Sequence, residues 1–150
     1  MNREKLLQLI DENREKYTTL ISEKIKNFIY REKRYGQHFS LTVGLTEVGV
    51  DLTDYEEHIR QTDEFIILED NLCCIILDST SSESGLKAAN NMLAGFQSHH
   101  FSKPLYSSVV SSDEYPEEQK LVDELFYVLK YSIKNNMDNI VIDAHSLFKD

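Results

Sequence analysis

The chain has 150 residues, 41% hydrophobic and 28% charged, which is enough apolar surface for one domain with a core and too much for a disordered tail. Its 26 acidic and 16 basic residues leave a net charge of −10, which argues against nonspecific binding to nucleic acid or to an anionic membrane. No apolar run reaches membrane-spanning length, and the opening MNREKLLQLIDENREK has no signal-peptide pattern, so the expected location is the cytoplasm.

Residues 3–34 read as one long helix. Leu6, Leu9, Ile10, Tyr17, Leu20, Ile21, Ile25, Phe28 and Ile29 recur at helical, near-heptad spacing, with Asn13 on the same stripe. Two uses of that stripe are open. It packs on the protein's own domain, or its first half pairs with a second copy or a partner protein. The basic cluster Lys24, Lys26, Arg31, Lys33 and Arg34 reads as the solvated C-terminal part of this helix, where cations complement the dipole.

Beyond Gly36, FSLTVGLTEV (39–48) alternates as a strand does, and residues 52–61 suit a short helix capped by Thr53 or Asp54. EFIILE (64–69) and LCCIILD (72–78) read as two strands joined by a two-residue turn at Asp70-Asn71, where both residue types tolerate positive φ. Their near-continuous apolar character predicts that both are central and covered on both faces. Cys73 and Cys74, the only cysteines, would point to opposite faces of a strand and so form neither a mutual bridge nor a shared metal site.

The Ser/Thr run 79–84 opens a helix over about 83–97, with Leu86, Ala89, Met92, Leu93 and Phe96 inward. Residues 105–112 read as a strand. A helix follows over about 117–135, with Pro116 near its start and Asn135-Asn136 as C-cap. NIVID (139–143) is the last strand. This order predicts an α+β domain with a mixed, mostly antiparallel sheet flanked by helices.

Three stretches carry a resemblance to the GGDEF domain of bacterial diguanylate cyclases, which has a palm-like fold shared with nucleotide cyclases. Arg34-Tyr35-Gly36 and Phe39-Ser40-Leu41 resemble the family's helix end and first strand. HIRQTDEFIILEDNLCCIILDSTSSESGLKAANNML resembles, without a gap, its arginine–aspartate pair, signature hairpin and following helix. YSSVVSSDEYPEEQKLVDELFYVLKYSIKNNMDNIVID resembles its closing strand, helix and strand. Together they cover about two-thirds of the chain. The division this implies is an N-terminal helix over 1–34, available for oligomerisation or a partner, and a degenerate GGDEF-like domain over 35–150.

The string DEFII at 63–67 mimics the signature but sits at a strand start. The better register aligns Arg60 and Asp63 with the family's RxxD motif and places the signature turn on Glu69, Asp70, Asn71, Leu72 and Cys73. In that register the resemblance implies lost catalysis. Two carboxylates replace the glycines that let the backbone approach a nucleotide, and Asn71 and Leu72 replace metal-binding acids. The family's strand-one aspartate falls on or near Leu45, with Glu47 a poor substitute. The phosphate-reaching lysine becomes Ile133, with Lys134 on a different face. The segment from Glu47 to Arg60 is roughly half the family's length and lacks its base-contacting residues.

What the resemblance implies is therefore a noncatalytic GGDEF-like signalling or protein-interaction module, with no metal and no cofactor. The alternative is a cyclic di-GMP receptor through Arg60 and Asp63, since in the family RxxD binds that nucleotide. The plain structural reading of the same pair is that Arg60 ends its helix and pairs with Glu56 or Glu57. Residual diguanylate cyclase activity would require DEF at 63–65 to be the working signature. His99-His100 lacks a third ligand at useful spacing, and Ser81, Ser82 and Ser84 read as helix-capping residues.

Overall fold

The computed structural model describes residues 2–53, 56 and 59–147. The first helix, α1 (Arg3–Tyr35), starts where the Asn2 side chain accepts a hydrogen bond from Lys5 N at 3.3 Å. It stops at Gly36, whose φ of 67° closes the last turn through a 2.8 Å bond from its N–H to Glu32 O. Leu6, Ile10, Tyr17, Ile21, Ile25 and Phe28 are all buried, so the apolar stripe is spent on the protein's own core from the first turns to the seventh. Asn13 returns its amide to Leu9 O at 2.9 Å, one turn back.

Among the described residues, five strands form one sheet in the order β2-β3-β1-β4-β5. They are β1 (Ser40–Thr46), β2 (Glu64–Glu69), β3 (Leu72–Leu77), β4 (Leu105–Ser111) and β5 (Ile140–Asp143). All pairings are antiparallel except β4 with β5. The remaining α-helices among the described residues are α2 (Ser82–His99), α3 (Glu118–Lys134) and α4 (Ala144–Leu147). The expected α+β architecture is therefore present, with a mixed, mostly antiparallel sheet and a long N-terminal helix.

Alternation in the strands sorts the side chains into two layers. Leu41, Val43, Leu45, Cys74, Ile76 and Val110 pack with α1 and α3 on one face, while Cys73, Val109 and Val141 pack with α2 on the other. The two cysteines are buried, free and on opposite faces, as their adjacency predicts. Burial pushes the Cys73 thiol up to about 12 and the Cys74 thiol higher still.

Two local expectations are corrected, and a third falls partly outside the described residues. β3 is buried along its whole length, but β2 is an edge strand whose Ile67 is 45% exposed. A continuous apolar run marks burial on average and does not separate an edge strand from a central one. The Asp70-Asn71 turn forms, yet neither residue has positive φ; the ladder instead shifts register between Ile67 and Glu69. The helix expected over 52–61 lies partly outside the described residues, and in the described part the Thr53 N–H donates to Asp51 Oδ1 at 2.9 Å.

α2 sits close to the sheet because position 85 is glycine. A Cβ built there would stand 2.5 Å from Ser40 Oγ. That hydroxyl is held by Ser111 Oγ at 2.7 Å and by the Thr80 and Ser81 carbonyls. Ser81 occupies the N-cap of α2 without bonding through its side chain; Asp113 Oδ2 instead accepts from Ser82 N at 3.4 Å.

Candidate functional site

The β2–β3 hairpin brings its tip beside the end of β1, because Leu72 pairs with Leu45 across the ladder. Each of the five residues that the resemblance aligns with the signature turn makes an internal contact. Asn71 is buried and donates its side-chain amide to Thr46 O at 2.9 Å, while its own carbonyl accepts Thr46 N–H at 3.0 Å. The Asp70 carbonyl accepts Leu52 N–H at 2.8 Å. Glu69 turns toward α1 and accepts the Tyr17 hydroxyl at 2.8 Å and Lys16 Nζ at 3.1 Å. Leu72 and Cys73 are buried on opposite faces of the sheet.

Burial and the Glu69 carboxylate both push the Tyr17 phenol far above its ordinary value near 10. Leu45, on or near which the resemblance puts the family's aspartate, is fully buried in the core. Glu47 pairs with Lys103 at 2.6 Å, which holds its carboxyl below the usual range. Ile133 is also core, and Lys134 lies in the last turn of α3. Among the described residues, no three His, Cys, Asp or Glu side chains are grouped to hold a metal ion.

Arg60 and Asp63 come together, but chiefly with each other. Arg60 donates Nε and Nη2 to the Asp63 oxygens at 3.2 and 2.9 Å, and its backbone N–H reaches Oδ2 at 3.0 Å. Asp63 Oδ1 also accepts Asp78 N–H at 2.8 Å, and Arg60 Nη2 reaches the Asp78 carbonyl at 2.5 Å. The Asp63 side chain is 2% exposed, whereas that of Arg60 is 54% exposed. The pair thus knots the loop before β2 to the end of β3. Among the described residues, the Arg60 side chain pairs with Asp63 and Asp78.

The exposed side of Arg60 lines a groove of about 400 Å³ against α2, opposite Ser84, Lys87 and Asn91. The α2 contributions were missed in the sequence. The only available signal was the i,i+4 spacing of Lys87 and Asn91 on the outward face of that helix. The Tyr17 hydroxyl was also missed, because at heptad spacing a tyrosine reads as an apolar residue.

No family model and no curated protein sequence matches the chain. Solved structures do. The GGDEF domain of YfiN (TpbB) from Pseudomonas aeruginosa superposes with a TM-score of 0.69 at 13% identity, covering 84% of this chain and 88% of that one. The fold is that of a GGDEF domain. The coiled coil and GGDEF domain of DgcB from Caulobacter crescentus, in complex with cyclic di-GMP, matches at 0.64 and 10% identity over 93% of this chain and 92% of that one. The diguanylate cyclase SiaD from Pseudomonas aeruginosa, in complex with its activator SiaC, matches at 0.62 and 12% identity over 93% and 71%.

Proposed function

We infer that this chain is a noncatalytic GGDEF-fold module that works by protein contact in cyclic di-GMP-type regulation. One observation carries the reading: the Glu69 and Asn71 side chains at the hairpin are committed to internal bonds. Asn71 is locked onto the end of β1 and Glu69 onto α1. A cyclase hairpin needs an accessible backbone for the nucleotide and free carboxylates for divalent metal. Leu45 and Ile133, both core, offer nothing polar at the other two positions.

The second reading is a cyclic di-GMP receptor. The Arg60 groove favours it, since the remaining guanidinium nitrogen and Lys87 can meet phosphate. Asp63 weighs against it. Its oxygens already accept four hydrogen bonds, leaving little capacity to read a guanine edge.

Calorimetric titration of the full chain with cyclic di-GMP and with magnesium-GTP separates the two readings. Silence toward both is expected. Micromolar binding of cyclic di-GMP that disappears in Arg60→Ala would replace the first reading with the second.

A further inference from the structure

We propose that the solvent face of the last three turns of α1 is a docking surface for an acidic segment of a partner protein. This rests on the protein-contact reading above and names the surface and the chemistry of the partner. Lys26, Tyr30, Lys33 and Arg34 fall at i, i+4, i+7 and i+8, so they share one helix face. It is the face opposite Ile21, Ile25 and Phe28, which are buried.

Folding does not use this face. Lys26, Lys33 and Arg34 are exposed and make no ion pair among the described residues. Tyr30 is 56% exposed and Tyr35 66%, with the Arg34 guanidinium 5.7 Å from the Tyr35 ring centroid. The intervening residues anchor the helix from the other side. Arg31 pairs with Asp78 at 3.2 Å and stacks on Phe28, while Glu32 is held by Ser112 and His38. The strip is therefore a preorganised backbone presenting cations and aromatic rings.

Charge selects the occupant. Five of the chain's 16 basic residues, and only one of its 26 acidic residues, lie within residues 24–35. A positive strip on a strongly negative molecule attracts carboxylates locally, while the rest of the molecule repels an extended anionic sheet or polymer. Tyrosine and arginine are the residue types that anchor protein interfaces. A membrane would need Phe, Leu or Trp to insert, and the strip has none. Lys26 and Lys33 stand roughly 10 Å apart along the axis, a span that two turns of an acidic helix or a short extended acidic peptide would match. Glu23, one turn earlier, marks the end of the positive strip.

The test titrates full-length protein into fluorescein-labelled decaglutamate at low ionic strength and reads anisotropy. Binding is expected to weaken at least about tenfold in the triple variant Lys26→Glu, Lys33→Glu, Arg34→Glu, and several-fold in Tyr30→Ala at unchanged charge. The control triple Lys5→Glu, Lys120→Glu, Lys130→Glu carries the same charge change elsewhere and should bind as the wild type does. Thermal melts confirm that each variant is folded. No binding by the wild type, or equal loss in the control triple, would overturn the proposal. So would tighter binding of phosphatidylserine vesicles or of a single-stranded oligonucleotide through the same three residues. Turnover of GTP would defeat the noncatalytic reading and leave this outcome standing by itself.

Discussion

At the residue scale, Asp63 and Glu69, which the resemblance aligns with motif positions, both make structural bonds. Asp63 is a buried carboxylate with four donors, two of them backbone N–H groups. Removing it strands the Arg60 fork and the Asp78 N–H, so Asp63→Ala is expected to cost about 2–4 kcal/mol in urea denaturation. Arg60→Ala keeps both backbone donors and should cost about 1 kcal/mol. The reverse order would contradict the knot. Tyr17 gives a pH prediction. Its phenol is held protonated in the fold and ionises near pH 10 in the unfolded chain, so the stability Tyr17 contributes is full below pH 10 and is lost as pH rises toward its raised folded value. Tyr17→Phe should lower stability by about 1–2 kcal/mol at neutral pH and flatten that alkaline decline, read as the urea midpoint between neutrality and alkaline pH. A decline as steep as that of the wild type would assign the alkaline effect to other groups.

At the scale of elements, α1 and the α2–sheet contact carry the account. α1 buries a stripe from Leu6 to Phe28 in the domain core, so residues 36–150 expressed alone are expected to lack a cooperative melt. Ile10→Ala, in the first half of the helix, should cost about 2–4 kcal/mol, whereas a half meant for a partner would lose little. At Gly85, an added Cβ meets a hydroxyl that three partners hold in place, so Gly85→Ala should destabilise by about 1–3 kcal/mol. The sequence made these elements legible where periodicity is strong. α1, β1, β3, α2 and α3 fall within one or two residues of their expected spans. It could not reveal that β2 lies at an edge, because sheet order depends on which strands pair and not on their composition. The four-residue α4 is too short for a periodic signal.

At the scale of the whole molecule, the GGDEF fold was readable although identity to solved members is only about one residue in eight or fewer among the structures compared above. Hydrophobic spacing and element order survive substitution, because a core needs apolar volume in the right layer rather than particular residues. For the candidate site, the sequence offered residues but not their bonding. The residues at the signature turn and the RxxD motif could be named, while their partners came from α1, β1 and β3, far away in sequence. On the proposed noncatalytic reading, that long-range bonding is what absorbs the hairpin into the scaffold. Measuring cyclic di-GMP formed from GTP and magnesium by the purified full-length chain tests this most directly. The account predicts no product above a protein-free control, even at high protein concentration and long incubation. Product that scales with protein concentration, and survives separation from any contaminating cyclase, would contradict it.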